Sequence, residues 1–350
     1  MIYFIILFII SIGALIENRA IQKSALNRAF DFLLTIILLM NGLRHEIGVD
    51  WRLYLLRLNE TRGESFQSIV RLNKDLFYYF LNWLGSNFFG GIYLVNFICS
   101  IIIIFCVRKY LYSIKYKWLG LLVLYPYYLV IVSNNYTRQA VSIAIFMFGI
   151  SLLKKSMFIR FSAFNLLSTS FHFSSVINFI YPTIISLKRN KGIFIITVIF
   201  ASLFGFYFYQ TRLSSLVEMY LLETIFESKG TLFRLIFLLI PSGIFLFHSK
   251  AFSESTEKKV YQLISVGVIF LLIGYFTGVP TTFLDRIALY FIPINVLVFS
   301  NISVVMSRIK QKYFVACLLN ISLAFIYLSG WLIFSKYNSS FIPYKSIIFS

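Results

Sequence analysis

The sequence predicts an all-α fold, a polytopic transmembrane helical bundle of about 12 spans, and three observations carry that expectation. Hydrophobic residues make up 59% of the 350 positions and charged residues only 13%, whereas a soluble domain carries about 25% charged residues. The mean hydropathy is +0.83, an excess of apolar surface that only a bilayer can cover. The apolar residues gather into runs approaching the roughly 20 residues that a spanning helix needs, separated by short polar links. No soluble domain of useful size is left over, so residues 1–350 are expected to form a single transmembrane domain.

The runs lie at 2–16, 29–43, 91–107, 118–132, 138–153, 158–171, 174–187, 192–210, 231–248, 260–276, 287–306 and 313–334. The first has no basic segment ahead of it and no small-residue cleavage site behind it, so it reads as a retained helix rather than a signal peptide. Residues 76–89 (LFYYFLNWLGSNFF) are apolar but short and aromatic, and a span there would invert the charge rule for everything after it. They read instead as an interfacial or re-entrant helix within a polar excursion at about 44–90. A second polar loop is expected at about 211–230.

The net charge is +19, but the basic residues sit between apolar runs rather than along one face, which argues for topology and against nucleic acid. Six clusters alternate with the spans: Arg19/Lys23/Arg28, Arg108/Lys109/Lys115/Lys117, Lys154/Lys155/Arg160, Lys188/Arg189/Lys191, Lys250/Lys258/Lys259 and Arg308/Lys310/Lys312. Cationic loops stay in the cytoplasm, so both termini are expected outside. These clusters hold 13 Lys and 6 Arg, while the opposite side holds 9 Arg and 4 Lys. Topology uses the two residues alike, but only Arg offers a planar fork for bidentate phosphate or carboxylate recognition. The outer face therefore looks built for an anion, unless its Arg residues merely pair with the outer acids, Asp75, Asp285 and Glu46 among them. Asp31, near the inner end of the second span, can reach Arg28 or the interface. Cys99, Cys106 and Cys317 all lie inside apolar runs, which supports neither a disulfide framework nor a zinc site.

Four polar places could carry chemistry. In residues 41–66, Asp50, Tyr54 and Arg57 share one face if the segment is helical, and Gly48 allows close backbone approach to a neighbour or ligand. Arg138 lies in the first turn of the fifth span, where free N–H groups and the helix dipole favour phosphate; the alternative is an interfacial anchor. His172 sits at a break between two runs, as a structural residue or a general base. Asp285 and Arg286 open another helix, as anion ligands or simply as each other's partners. No phosphate-binding Gly-rich loop, GxSxG, HExxH or paired metal-ligand spacing occurs, so neither a metal nor a cofactor is expected. Tyr78, Tyr79 and Trp83 could anchor at the interface or stack on sugar rings.

The motifs RHEIGVDWRLY (44–54), TRQAVSIAIF (137–146), FHFSSVINFIYP (171–182), DRIALYF (285–291) and FIPYK (341–345), in this order on a polytopic background, resemble the EpsG-like family of Wzy-type polysaccharide polymerases. The resemblance implies a bacterial cytoplasmic membrane and a GT-C-like fold, as in membrane-embedded lipid-carrier glycosyltransferases. It implies transfer of a growing glycan from undecaprenyl pyrophosphate to the non-reducing end of another lipid-linked repeat unit. The partners would be these carrier-linked donor and acceptor oligosaccharides and membrane lipid, with room for a chain-length regulator and a flippase. Arg138 and Arg286, then Arg44, would hold the pyrophosphate. The acceptor hydroxyl must lose a proton; His172 is favoured over Asp50 as base, with Asp50 and Tyr54 orienting it or the acceptor. A flippase of the same lipid-linked sugars should show charges deep in spans or internal repeats, and neither stands out. A non-catalytic scaffold is the third class.

Overall fold

The computed structural model describes residues 1–19, 23–72, 75–154, 157–186, 230–252, 256–306 and 309–348, with isolated positions between 191 and 228. The helices in chain order are α1 (Ile2–Ile16), α2 (Lys23–Gly42), α3 (Trp51–Glu60), α4 (Phe66–Leu72), α5 (Leu76–Asn87), α6 (Gly91–Leu111), α7 (Lys117–Leu124), α8 (Thr137–Lys154), α9 (Phe158–Phe171), α10 (Ile180–Ser186), α11 (Thr231–Phe247), α12 (Thr256–Phe276), α13 (Thr281–Ala288), α14 (Ile292–Ser300) and α15 (Lys312–Phe334). A π-helical stretch, Tyr125–Val132, extends α7, and a 3-10 helix, Phe173–Phe179, leads into α10. Among the described residues there is no strand, only an isolated antiparallel bridge between Arg44 and Ser346.

Every predicted run except 192–210 falls on helical residues; that run and the loop at 211–230 lie largely outside the described residues. Five stretches are long and apolar enough to cross a membrane: Lys23–Gly42, Gly91–Leu111, Lys258–Phe276, Thr281–Ser300 and Lys312–Phe334. Ile2–Ile16, Thr137–Leu153, Phe173–Ser186 and Thr231–Phe247 are apolar but shorter. The shortfall from about twelve has a simple cause: at ~1.5 Å per residue, a 15-residue helix covers only about 22 Å of a roughly 30 Å hydrocarbon layer. Burial patterns mark a membrane protein. Helix α1 buries Tyr3, Ile6, Leu7, Ile10 and Ala14 on one face and exposes Ile5, Phe8, Ile9 and Ile12 on the other. A helix apolar all round needs lipid where it lacks protein. α5 has 12 residues, fewer than the roughly 20 that a spanning helix needs.

The chain divides into two compact units. One comprises Met1–Phe148, Leu167–Phe173 and Phe299–Ser350, the other Gly149–Leu166 and Ser174–Val298. Within the first, one end gathers basic clusters. The Arg108 guanidinium makes a two-pronged pair with Asp31, 2.8 Å to each carboxylate oxygen, so the partner of Asp31 is Arg108 rather than Arg28. Lys117 bonds Asn27, and Tyr313 donates to the Ala14 carbonyl at 2.7 Å. At that same end Glu17 accepts the N–H groups of Trp118 and Leu119 at 3.1–3.3 Å. It thereby caps α7, whose own N-cap Tyr116 makes no side-chain bond.

Burial of the Glu17 carboxyl raises its pKa to about 7. A raised carboxyl pKa favours the folded state fully below its unfolded value near 4.5 and loses that contribution as pH rises through 7. Glu17→Gln keeps an oxygen acceptor but cannot ionise. Its stability relative to the wild type is expected to rise by about 3 kcal/mol between pH 4.5 and pH 8, measured as the pH dependence of the difference in thermal midpoint.

Candidate functional site

At the other end of the first unit, residues 43–50 leave α2 and are held by the segment after α15. His45 N–H donates to the Lys345 carbonyl, Ile347 N–H to Leu43 and Gly48 N–H to Ser340, each at 3.0 Å. The Tyr344 hydroxyl bonds the Met40 carbonyl at 2.7 Å, and Lys345 pairs with Glu46 at 2.8 Å, holding that exposed carboxyl below its ordinary pKa. The FIPYK motif is thus the backbone partner of the RHEIG motif. The other side of this loop rests on the turn before α8. Val49 N–H donates to Asn135 Oδ1 at 2.8 Å, and the Tyr54 hydroxyl to the Asn135 carbonyl at 3.2 Å.

Gly48 has φ +104, and a Cβ there would stand 2.9 Å from the Asn134 carbonyl carbon and closer still to its oxygen. Left-handed strain and a backbone clash act together. Gly48→Ala is therefore expected to destabilise the protein by about 3 kcal/mol or more, seen as a lower thermal midpoint of the detergent-purified protein.

Arg44 is 2% exposed. Its Nη1 donates to the Asn41 carbonyl at 2.8 Å, and its Nη2 to Asn96 Oδ1 at 3.0 Å and Thr137 Oγ1 at 2.9 Å. Nε has no partner, and no carboxylate pairs with it among the described residues. Burial lowers its pKa from the ordinary value. The guanidinium ties α2, α6 and the first turn of α8 together through neutral acceptors.

At the next residue of α8, Arg138 Nη1 meets Asp75 Oδ2 at 2.5 Å, and His172 Nδ1 lies 3.9 Å from the same oxygen. The other oxygen, Oδ1, accepts the Phe173 N–H at 3.2 Å. One carboxylate, 5% exposed, therefore joins the start of α5, the first turn of α8 and the junction after α9. His172 itself closes α9, its N–H bonding the Ser168 carbonyl at 3.0 Å. Arg138 also lies over the Tyr78 ring, 5.7 Å from its centroid. Its Nε and Nη2 meet no acceptor among the described residues, which leaves donors in a fork already oriented by Asp75.

Asp50 is the N-cap residue of α3 and half-buried. Tyr54 stays on its expected face, 3% exposed, its ring 5.8 Å from that of Tyr78. Arg57 lies over the Tyr54 ring at 5.8 Å. Tyr78 is fully buried, and burial pushes its hydroxyl well above the ordinary range, so it is a neutral wall rather than an open stacking platform. Tyr79 is half-buried, with burial again raising its pKa. Trp83 joins an aromatic cluster with Phe66, Phe80 and Phe88 and donates to the Glu64 carbonyl at 2.9 Å.

Arg286 lies in the second unit. There Asp285 pairs through both oxygens with Arg234 of α11, and Ser228 bonds it as well, so the neighbouring Arg286 is not needed as its counter-ion. Of the Arg residues expected on the outer side, Arg138 and Arg234 pair with acids, whereas Arg44 has no ion pair among the described residues. Asp75 was legible only as one outer acid among several. The signal that could have singled it out is its place immediately before the apolar helix LFYYF, an N-cap position whose side chain is free to reach elsewhere.

No curated protein and no solved structure matches this chain. The family model for the EpsG family matches residues 27–346, a span that takes in Arg44, Asp75, Arg138 and His172 together with the segment that clasps them, and the chain belongs to the EpsG family.

Proposed function

We propose that this protein is a glycosyltransferase that polymerises a polysaccharide from lipid-linked repeat units, at the outer face of a bacterial cytoplasmic membrane. Membership of the EpsG family supports a polymerase-type role in polysaccharide biosynthesis. The single observation that carries the site is the meeting of Arg138 and His172 on Asp75. The donor is an undecaprenyl-pyrophosphate-linked glycan. The acceptor's non-reducing-end hydroxyl attacks the anomeric carbon, the bond from that carbon to the pyrophosphate oxygen breaks, and the carrier pyrophosphate leaves with the electron pair. Arg138 donates to the leaving group through the nitrogens that Asp75 does not use; such preorganised donors commonly contribute about 3–4 kcal/mol each. His172 takes the acceptor proton, and Asp50 and Tyr54 shape the approach of the acceptor sugar. Burial of Arg44 supports a role in holding α8 in place rather than in binding phosphate.

Adding an isolated lipid-linked repeat unit to the purified protein is expected to yield a ladder of glycan lengths. His172→Ala should reduce the ladder to single units with donor binding retained. A normal ladder from both His172→Ala and Asp50→Asn would remove the proposed base.

A further inference from the structure

We propose that a cavity at the opposite end of the first unit binds the phosphate of an anionic lipid headgroup. The cavity, of about 570 Å³, lies among the end of α1, the residue before α7 and the start of α15, and is lined by Arg19, Lys310, Lys312, Tyr116 and Tyr313. Its size is that of a small-ligand site. It contains three cations and no carboxylate. None of the three forms an ion pair among the described residues. The nearest acid along the chain, Glu17, is spent on the Trp118 and Leu119 N–H groups.

Helix α15 sharpens the case for an anion. Its first turn has no acidic residue, and its N-cap Gln311 makes no side-chain cap bond. Lys310 and Lys312 stand beside the positive end of the helix dipole, where cations are unfavourable and anions favourable. Retention of basic loops on one side of a membrane needs positive charge but no cavity. An anion that enters the cavity relieves both the repulsion among the cations and the unsatisfied first-turn N–H groups.

Apolar surface favours a lipid as the source of the phosphate. Leu15 and Phe314 line the same cavity, and Phe314 is 46% exposed. A glycerol and the first acyl carbons would cover them, and a free phosphate would not. Basic pockets between spanning helices are a recurring way of holding such headgroups. Under the topology proposed above, this end faces the inner leaflet.

Native mass spectrometry of the full chain in neutral detergent tests the assignment, with dioleoylphosphatidylglycerol, dioleoylphosphatidylcholine and inorganic phosphate as the three probes. The wild type is expected to retain phosphatidylglycerol in preference to phosphatidylcholine. The triple variant Arg19→Gln/Lys310→Gln/Lys312→Gln should bind phosphatidylglycerol at least fivefold more weakly, while Lys310→Arg/Lys312→Arg keeps binding. A control removing three cations elsewhere, Lys250→Gln/Lys258→Gln/Lys259→Gln, should change it less than twofold. No preference for the anionic lipid in the wild type overturns the proposal whatever the variants do, as does an equal loss in the control. Inorganic phosphate that competes as well as the lipid, with the same triple variant insensitive to it, overturns the lipid source in favour of a free phosphate.

Discussion

An Asp75→Asn protein is expected to lose about 2–4 kcal/mol of stability and roughly a hundredfold in chain elongation. The carboxylate is 7% exposed at its side chain and its Arg138 partner 20%, so the pair is more buried than the surface pairs that contribute ~0–1 kcal/mol. Removing one partner of a buried pair strands the other's charge, which costs about 3–5 kcal/mol where burial is complete; partial exposure of Arg138 places this case lower. Asparagine keeps the shape and can still accept the Phe173 N–H, so the loss isolates the charge. The double variant Asp75→Asn/Arg138→Gln should recover part of the stability, because it leaves no lone cation. Thermal midpoints for the four proteins of this cycle would give a coupling of about 1.5–3 kcal/mol. Additive losses would show that Asp75 and Arg138 act separately.

The second large effect is at Arg138. Arg138→Ala is expected to slow elongation about 10²- to 10³-fold, the range for removing one preorganised donor to a developing negative charge. The loss should fall mainly on kcat, because in the proposed reaction the leaving pyrophosphate is more negative at the transition state than in the bound donor. Arg138→Lys should recover less than a tenth of the lost rate. A lysine is a point charge that can satisfy Asp75 or the phosphate, but lacks the planar fork that reaches both in fixed geometry. Ladder lengths and initial rates from a lipid-linked repeat would decide the matter. A lysine variant with wild-type kcat would show that charge alone is needed at this position and would undo the fork argument.

The helices were legible because lipid imposes a long, simple signal. Runs such as Gly91–Leu111 and Lys312–Phe334 are apolar for 21 and 23 residues, long enough to cross the bilayer. The site was legible by residue type but not by pairing. Arg138 and His172 stood out as polar groups at helix junctions, and the structure brings them to one carboxylate. That carboxylate, Asp75, was hidden because its partners lie 63 and 97 residues further along the chain. Arg44 illustrates the opposite ambiguity. An Arg beside a loop reads as a ligand for an outside anion, yet three neutral oxygens enclose its two terminal nitrogens. Nothing in local composition distinguishes a guanidinium that faces a substrate from one that fastens helices, since both need the same hydrogen-bond geometry.

The clasp between residues 340–347 and the RHEIG loop sets a timing problem for biosynthesis. The hydrogen bonds to Met40 and Leu43 join residues 304 and 303 positions apart. At ~5–20 residues per second of translation, the ribosome delivers the clasping segment roughly 15–60 s after the loop itself. For that interval the main-chain groups of Leu43, His45 and Gly48 have to be satisfied by water or headgroups, since leaving them bare in hydrocarbon is prohibitive. Nascent chains stalled before Ser340 should therefore be cut by protease at 43–48, and released full-length chains should be resistant there.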